Sequence, residues 1–223
     1  MKNTWLAIPL LLIMQQATYA EEQQDSGWQF YPNAGIGWHK LKFQRPGGTL
    51  KADYPTLNVG LTATHGDYFI NYSGEWLGKS NFQNGAEFTS VEREDQTLTV
   101  GKVFNRFSVF AGYNDAETKD DFLGEFHFDE GFFFGAGYDF PLRKSVLGLS
   151  VAYADLDGEI YEDGVGLIET GKTQGLSYRI NLSGPFRKDM GYKIFARFRS
   201  YEFSSAGVST DKDILSIGAA ISF

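Results

Sequence analysis

The chain of 223 residues contains no cysteine and only three histidines. Disulfides and thiol chemistry are therefore excluded, and few side chains can act as general bases near neutral pH. Beyond the N-terminal segment there is no run of about twenty apolar residues, which excludes a transmembrane helix. The 28 acidic residues outnumber the 20 basic ones, giving a formal net charge of −8. This balance argues against nucleic acid as a partner, because phosphate binding needs a basic surface.

The N-terminus has the pattern of an export signal. Lys2 supplies a short positive region, and residues 5–14 form an apolar stretch that is too short to span a bilayer as a helix. Small residues lead to Ala20, and a polar run begins at Glu21. The sequence therefore predicts a signal peptide over residues 1–20, cleaved after about Ala20, and a single mature domain over residues 21–223.

Alternation of apolar and polar residues recurs through the whole mature length and predicts β-strands. In the last segment, for example, Ile217, Ala219 and Ile221 alternate with glycine, alanine and serine. Abundant aromatic residues (20 Phe, 12 Tyr, 4 Trp) and 26 glycines fit a β-protein. Ten segments show this pattern: 28–39, 57–64, 68–76, 97–104, 107–114, 132–140, 147–154, 176–183, 192–199 and 215–223.

The connections between these segments alternate between short and long. Short turns are predicted at residues 65–67, 105–106, 141–144 and 185–191, and long polar loops at 44–52, 79–92, 117–127, 159–172 and 204–212. This alternation is typical of an outer-membrane barrel. The predicted fold class is all-β, a single antiparallel up-and-down transmembrane barrel of ten strands, with eight or twelve as the alternatives. Both termini lie at the short-turn end.

Alternation by itself also fits a soluble lipocalin-like barrel or a β-sandwich. Two features favour the membrane. The polar face consists mainly of Gly, Ser, Thr, Asn and Ala, which suit a crowded interior rather than a water-facing surface. Aromatic residues such as Trp28, Trp38, Trp76, Tyr138 and Tyr192 lie near strand ends, as in the aromatic girdles of membrane barrels.

The terminal strand carries a more specific resemblance. It ends on Phe223, with apolar residues at two-residue steps before it. This strand resembles the one that the outer-membrane assembly machinery recognises in small bacterial outer-membrane β-barrel proteins. The resemblance implies a location in the outer membrane of a Gram-negative cell. It also implies outer-membrane lipid, lipopolysaccharide and that machinery as partners.

If the apolar side chains face lipid, the opposite parity lines the lumen, where it carries charges. The predicted lumen charge network comprises Glu75, Asp95, Asp139, Arg179, Lys193, Arg197 and Arg199. Because buried charges need partners, the three carboxylates are expected to act as counter-ions. One interpretation is an internal ion-pair network that plugs the barrel. The other is a charged constriction that selects solutes, narrow because ten strands leave little room.

The sequence favours a protein that is not an enzyme. The strand count resembles that of the omptin proteases, whose sites pair Asp with Asp and His with Asp. His127 with Asp129, and Asp120 with Asp121, are the nearest candidates, but they lie in a predicted loop. Neither His39 nor His65 has a convincing serine partner for acyl transfer. No phosphate loop, cofactor motif or calcium-loop pattern occurs, so no cofactor and no metal site are expected.

The functional expectation is a porin-like barrel with a narrow or plugged lumen that passes or binds small solutes. The cationic strand of Lys193, Arg197 and Arg199, opposite the lumen acids, would be its selectivity element. The alternative is a structural or surface-interaction barrel that acts, like an adhesin, through its acidic extracellular loops.

Overall fold

The computed structural model describes residues 27–45, 48–77, 80–84, 87–120, 124–187, 190–205 and 208–222. The described residues form eleven strands. They are β1 (Gln29–Arg45), β2 (Gly48–His65), β3 (Tyr68–Leu77), β4 (Ser80–Asn84), β5 (Glu87–Phe104), β6 (Phe107–Asp120), β7 (Glu125–Leu142), β8 (Ser145–Glu162), β9 (Gly166–Arg187), β10 (Met190–Ser205) and β11 (Val208–Ser222). Within the described ranges, no helix is long and apolar enough to cross a membrane.

The strands form a closed ring in which neighbours are antiparallel. Among the described residues, each strand pairs with the next along the chain except at β3, which pairs with β5 instead of β4, and β1 pairs with β11 to close the ring. The short β4 pairs with the far part of β5, so β3 and β4 share one position in the ring. The barrel therefore has ten strand positions, and the predicted ten-stranded, all-β, up-and-down barrel is confirmed.

The outer surface carries a broad apolar band. Outward side chains such as Ile36 and Phe132, each 72% exposed, point away from the lumen, although both are large and hydrophobic. On β1 the band runs from Trp28 to Trp38, about 33 Å of strand at 3.3 Å per residue. A strand tilt of about 40° reduces this to about 25 Å, the height of the lipid-facing band of a transmembrane barrel.

Beyond the band, the strands continue into a part of the barrel that we call the extension, and there the pattern inverts. On β1, Lys40 and Lys42 face outward, whereas Leu41 and Phe43 face inward and are buried. On β8, Asp155 and Asp157 face outward, while Leu156 is buried. An aqueous surface with a dry interior explains this arrangement, since polar groups stay hydrated and apolar ones pack together.

The prediction of five long loops is therefore largely wrong, because most of their described residues lie in strands. Residues 44–45 and 48–52, for example, belong to β1 and β2, which pair as far as Arg45 and Gly48. Strand likewise includes most of the described residues of the other four predicted loops. The predicted acidic loops are largely the outward faces of long strands.

The four predicted short connections lie at the opposite end, the turn end. Three of them are two-residue turns whose first central residue has a left-handed backbone: Gly66 (φ 57°), Asn105 (φ 60°) and Arg143 (φ 49°). Positive φ at this position suits the tight hairpins that match the twist of paired strands. The predicted signal peptide over residues 1–20, and Phe223 as the assembly signal, lie outside the described residues.

Candidate binding site

Strand parity places the charged side chains that fill the middle of the lumen. Arg197 and Arg199 are inward residues of β10, two positions apart, and they face Glu75 on β3 and Asp95 on β5. Arg197 Nη2 lies 2.5 Å from Glu75 Oε2, and Arg199 Nη1 lies 2.5 Å from Asp95 Oδ2. Arg93 Nη2 lies 3.2 Å from the same Asp95 oxygen. We call these five residues the central network, and it crosses the lumen from one wall to the other.

Two aromatic residues cover the central network on the side of the extension. His39 and Tyr54 project inward from β1 and β2, with ring centroids 5.6 Å apart. Their exposed fractions are 1% and 0%. His39 Nε2 lies 3.4 Å from Glu75 Oε2, which ties the ring to the network. Since inward side chains at this level have no contact with solvent, the lumen is closed here.

The extension adds a second, mainly apolar closure above the network. The buried cluster comprises Leu41, Phe43, Ala52, Tyr54 and Ile214, and we call it the upper cluster. An ion pair lies beside it: Lys212 Nζ on β11 donates to both oxygens of Asp129 on β7, each at 2.8 Å. Thr173 Oγ1 donates to Asp129 Oδ1 at 2.6 Å.

The environment of Asp129 favours its ionised form. Asp129 lies in the extension, outside the apolar band. Burial would raise its pKa, but the charge of Lys212 and the hydrogen bonds from Lys212 and Thr173 outweigh burial and hold the pKa below its ordinary value. Asp129 is therefore a carboxylate with a fixed cationic partner, which suits a structural role.

Below the central network, toward the turn end, the lumen opens into a cavity of about 360 Å³, the lumen cavity. Its wall carries many small polar residues, among them Asn58, Asn71, Thr97, Ser108, Asn114, Ser150 and Asn181. Gly148 keeps one side wide, since a Cβ there would lie 2.7 Å from Asn181 Nδ2 and 2.8 Å from Asp139 Oδ1. Asp139 is exposed, so the cavity communicates with solvent near the turn end.

Two cations face this cavity without a carboxylate partner. Among the described residues, neither Arg179 on β9 nor Lys193 on β10 has an ion pair or a side-chain hydrogen bond. Arg179 stacks over the Phe195 ring, with its Cζ 5.2 Å from the ring centroid, and its Nε is buried without a partner. Arg179 is also directly opposite Arg197 in the strand register. Like charges in that position repel each other.

Counting charges shows that the lumen is cationic at this level. The described inward residues of the network and cavity include five cations and three carboxylates, an excess of two positive charges. They are Arg93, Arg179, Lys193, Arg197 and Arg199 against Glu75, Asp95 and Asp139. An anion of one or two charges would balance this excess.

The structure divides the predicted lumen network into two groups. Four of its members, Glu75, Asp95, Arg197 and Arg199, contact one another in the central network. The other three, Asp139, Arg179 and Lys193, line the cavity and form no ion pair with one another. Asp139 attracts Lys193 only at a distance beyond an ion pair.

Sequence reasoning missed three buried charges. Arg93 shares the parity of Asp95, and Lys212 shares that of Ser216, so continuing each alternation by one or two steps would have found them. Asp129 was assigned to a loop, although it has the same parity as Asp139 on β7.

The candidate protease residues His127 and Asp129 do not lie in the predicted loop. They are on β7, in the extension. Both are buried and face the lumen, where His127 Nε2 lies 3.0 Å from Glu125 Oε2 and Asp129 binds Lys212. Asp121 and the side chain of Asp120 are outside the described part of the chain.

The other two histidines have equally local partners. His65 stacks on Trp28 at 5.2 Å on the outer surface, and His39 faces Glu75. Among the described residues, no three His, Asp or Glu side chains are grouped so that they could hold a metal ion.

The acidic residues of the extension form an outward-facing row on neighbouring strands. Glu94 is directly opposite Glu117, and Asp115 is directly opposite Glu130, which is in turn opposite Asp157. Burial raises the pKa of Glu117, and the nearby carboxylates of Glu94 and Asp115 raise it further. This row gives the extension a negative outer surface along β5, β6, β7 and β8.

Comparison with solved structures places the fold. The outer membrane protease OmpT from Escherichia coli matches with 10% identity and a TM-score of 0.57, over 86% of this chain and 96% of that one. Neisserial surface protein A matches with 13% identity and a TM-score of 0.45 (88% and 99%). The beta domain of the Bordetella autotransporter BrkA matches with 10% identity and a TM-score of 0.48 (87% and 98%).

At the level of sequence, no protein-family model and no curated protein matches the chain. Identities this low show a shared fold and nothing about activity. The chain has the fold of bacterial outer-membrane β-barrels, which the alternating strands and the terminal strand predicted.

Proposed function

We propose that this chain is an outer-membrane barrel that binds a small anionic solute in the lumen cavity and is closed toward the outside. The observation that carries the proposal is the pair Arg179 and Lys193. Both cations face a polar cavity of about 360 Å³, and neither has a carboxylate partner among the described residues.

The orientation follows from the connections. Outer-membrane barrels place short turns in the periplasm and long hairpins outside. The turn end of this barrel, where the lumen cavity communicates with solvent, is therefore assigned to the periplasm. Cleavage after Ala20 would leave the mature N-terminus at this same end. A solute that enters from the periplasm would meet Lys193 first and then Arg179, which lies at the level of Arg197 in the central network.

The energetics favour an anion over a neutral solute. A cation without a partner in a poorly solvated lumen has lost hydration that it regains only by binding an opposite charge. Arg179 also faces Arg197, whose own charge is already compensated by Glu75. An anion beside Arg179 would relieve this repulsion and satisfy its buried Nε.

The residues indicate the chemical class of the solute. An arginine presents a planar fork that matches a carboxylate or a phosphate, and a lysine adds a point charge. The surrounding amides and hydroxyls can bind further oxygens, Asn181 being the inward residue next to Arg179 on β9. A volume of 360 Å³ lies at the small end of ligand pockets, so the solute is a small carboxylate or phosphate with one or two charges.

Binding of a solute fits the geometry of the lumen better than passage of a solute through the barrel or interaction at its outer surface. The closed level at His39 and Tyr54, and the upper cluster beyond it, block diffusion through the lumen. Two members of the expected selectivity element, Arg197 and Arg199, are already paired with Glu75 and Asp95. The acidic row of the extension suits a surface role, but it has no group that selects one partner over another.

Isothermal titration calorimetry of the refolded barrel tests the proposal. Succinate and inorganic phosphate serve as probes, with choline at the same ionic strength as the cationic control. We expect at least one anion to bind and choline not to bind. Arg179→Gln or Lys193→Gln should each weaken anion binding about tenfold or more, because each removes a charged hydrogen bond of roughly 1.5–3 kcal/mol.

Lys40→Gln is the matched control, since it removes one positive charge from the outward face of the extension. It should bind anions as the unmodified barrel does. Anion binding that is equally strong in Arg179→Gln and Lys193→Gln would contradict the proposal, as would equal binding of choline and the anions.

A further inference from the structure

A single lysine interrupts the apolar band. Among the described outward residues of the band, Lys102 on β5 is the only one with a full charge, and it lies between Val100 and Phe104. A lysine on the lipid-facing surface is strongly destabilising at mid-depth but nearly without cost at the interface. Lys102 lies three residues before Asn105, the first residue of a turn, and so at the interface of the leaflet nearest the turn end.

The contacts of Lys102 leave its charge without an anion. Its Nζ lies 3.4 Å from Tyr68 Oη, 4.9 Å from the Tyr68 ring centroid and 5.1 Å from the Phe104 ring centroid. No carboxylate among the described residues forms an ion pair with it. The two rings hold the ammonium group in place by cation–π attraction, but they do not neutralise it.

An apolar groove lies beside this ammonium group on the outer surface. Its volume is about 670 Å³. Small outward side chains, Val100, Val109 and Ala111, line its base, while Trp28 and Tyr68 border it. Trp28 is fixed there by stacking on His65, at 5.2 Å and an angle of 25° between the rings.

The residues of the three described tight turns carry more positive than negative charge. They include the cations Arg106, Arg143 and Lys144, against the single carboxylate of Asp67. A positive rim attracts anionic headgroups in the adjacent leaflet, at about 1 kcal/mol for each basic residue near the surface.

We propose that this groove binds one anionic phospholipid of the leaflet at the turn end, with its phosphate at Lys102. The acyl chains lie on Val100, Val109 and Ala111, and the phosphate receives a hydrogen bond from the Lys102 ammonium group. The inference does not depend on the lumen cavity, because the two sites lie on opposite sides of the barrel wall.

Native mass spectrometry of the refolded barrel provides the test. The barrel is released from mixed micelles that contain either phosphatidylglycerol or phosphatidylcholine with the same acyl chains. The proposal predicts one retained phosphatidylglycerol molecule and clearly lower retention of phosphatidylcholine. Lys102→Gln should reduce the retained phosphatidylglycerol about fivefold, the ratio that corresponds to one basic residue near the surface.

Two further variants make the outcome decisive. Ala111→Phe fills the groove but keeps the charge, and it should reduce retention as well. Lys40→Gln removes an outward lysine from the extension and should retain lipid normally. A heat-dependent gel shift identifies the folded fraction of each variant. Equal retention by the unmodified barrel and Lys102→Gln, or equal retention of the two lipids, would overturn the proposal.

Discussion

A buried ion pair in the extension joins two strands that are not neighbours in the ring. Asp129 and Lys212 lie on opposite walls of the extension, joined by two hydrogen bonds of 2.8 Å. Both side chains are about 95% removed from solvent. When one member of such a pair is removed, the other remains as an uncompensated charge in a dry interior. The pair therefore fixes the relative positions of β7 and β11.

Asp129→Asn should lower the free energy of unfolding by about 3–5 kcal/mol, because Lys212 then keeps its charge without its carboxylate partner. Denaturant unfolding of the refolded barrel, followed by tryptophan fluorescence, measures the loss. Asp129→Leu combined with Lys212→Met removes both charges and should restore most of the stability. A single variant as stable as the double variant would contradict this reading.

The pH dependence of this difference has a definite sign. The pKa of Asp129 is lower in the folded chain than the ordinary value of about 3.9. The stabilisation is therefore complete above that ordinary value and is lost as the pH falls through the lower, folded-state pKa. The stability difference between the unmodified barrel and Asp129→Asn should be constant near neutral pH and should shrink only below about pH 4.

The outward side chains of a strand change from apolar to polar where the strand leaves the apolar band. On β9, Ile180, Tyr178 and Leu176 face outward within the band, and Gln174 and Lys172 face outward in the extension. The backbone pairing continues without interruption through this change. A strand in this barrel therefore has a lipid-facing part and a water-facing part on the same face.

This division predicts different costs for the same substitution on one strand. Ile180→Arg should destabilise the barrel by about 2–4 kcal/mol, because it places a charge in the lipid-facing band. Gln174→Arg, on the same face six residues away, should change stability by less than about 0.5 kcal/mol. Unfolding of both variants in lipid vesicles checks the prediction, and similar costs would show that the band is placed wrongly.

Sequence alternation predicted the strands of the band, since their apolar residues keep one parity. It could not predict the extension, because the apolar parity changes there: Trp38 faces out, whereas Leu41 faces in. On β2, likewise, Leu57 faces out, whereas Tyr54 faces in. Read with a fixed parity, these segments resemble polar loops.

The sequence predicted most of the charged residues of the candidate site, but it did not predict which of them pair with each other. Parity alone assigned Glu75, Arg197 and Arg199 to the lumen. Which cation lies across from which carboxylate depends on the position of β10 opposite β3 and β5 in the closed ring. That arrangement is a property of the whole barrel, and it leaves Arg179 and Lys193 without a carboxylate partner among the described residues.

At the scale of the whole molecule, the lumen of the barrel is open at one end and closed at the other. The lumen cavity communicates with the turn end, and the central network, His39, Tyr54 and the upper cluster close the other end. Ten strands leave a lumen that side chains can fill, so closure needs no separate plug domain. A closed extension and an open, cationic turn end suit the proposed binding of a solute that enters from the turn end.

The most direct test is conductance across a planar lipid bilayer, using refolded protein whose folding is verified by a heat-dependent gel shift. We expect a silent bilayer, because fully buried side chains block the lumen at the level of Tyr54. Discrete, reproducible channels from the folded protein would contradict the closed lumen, and with it the proposal of a cavity that is accessible from one side only.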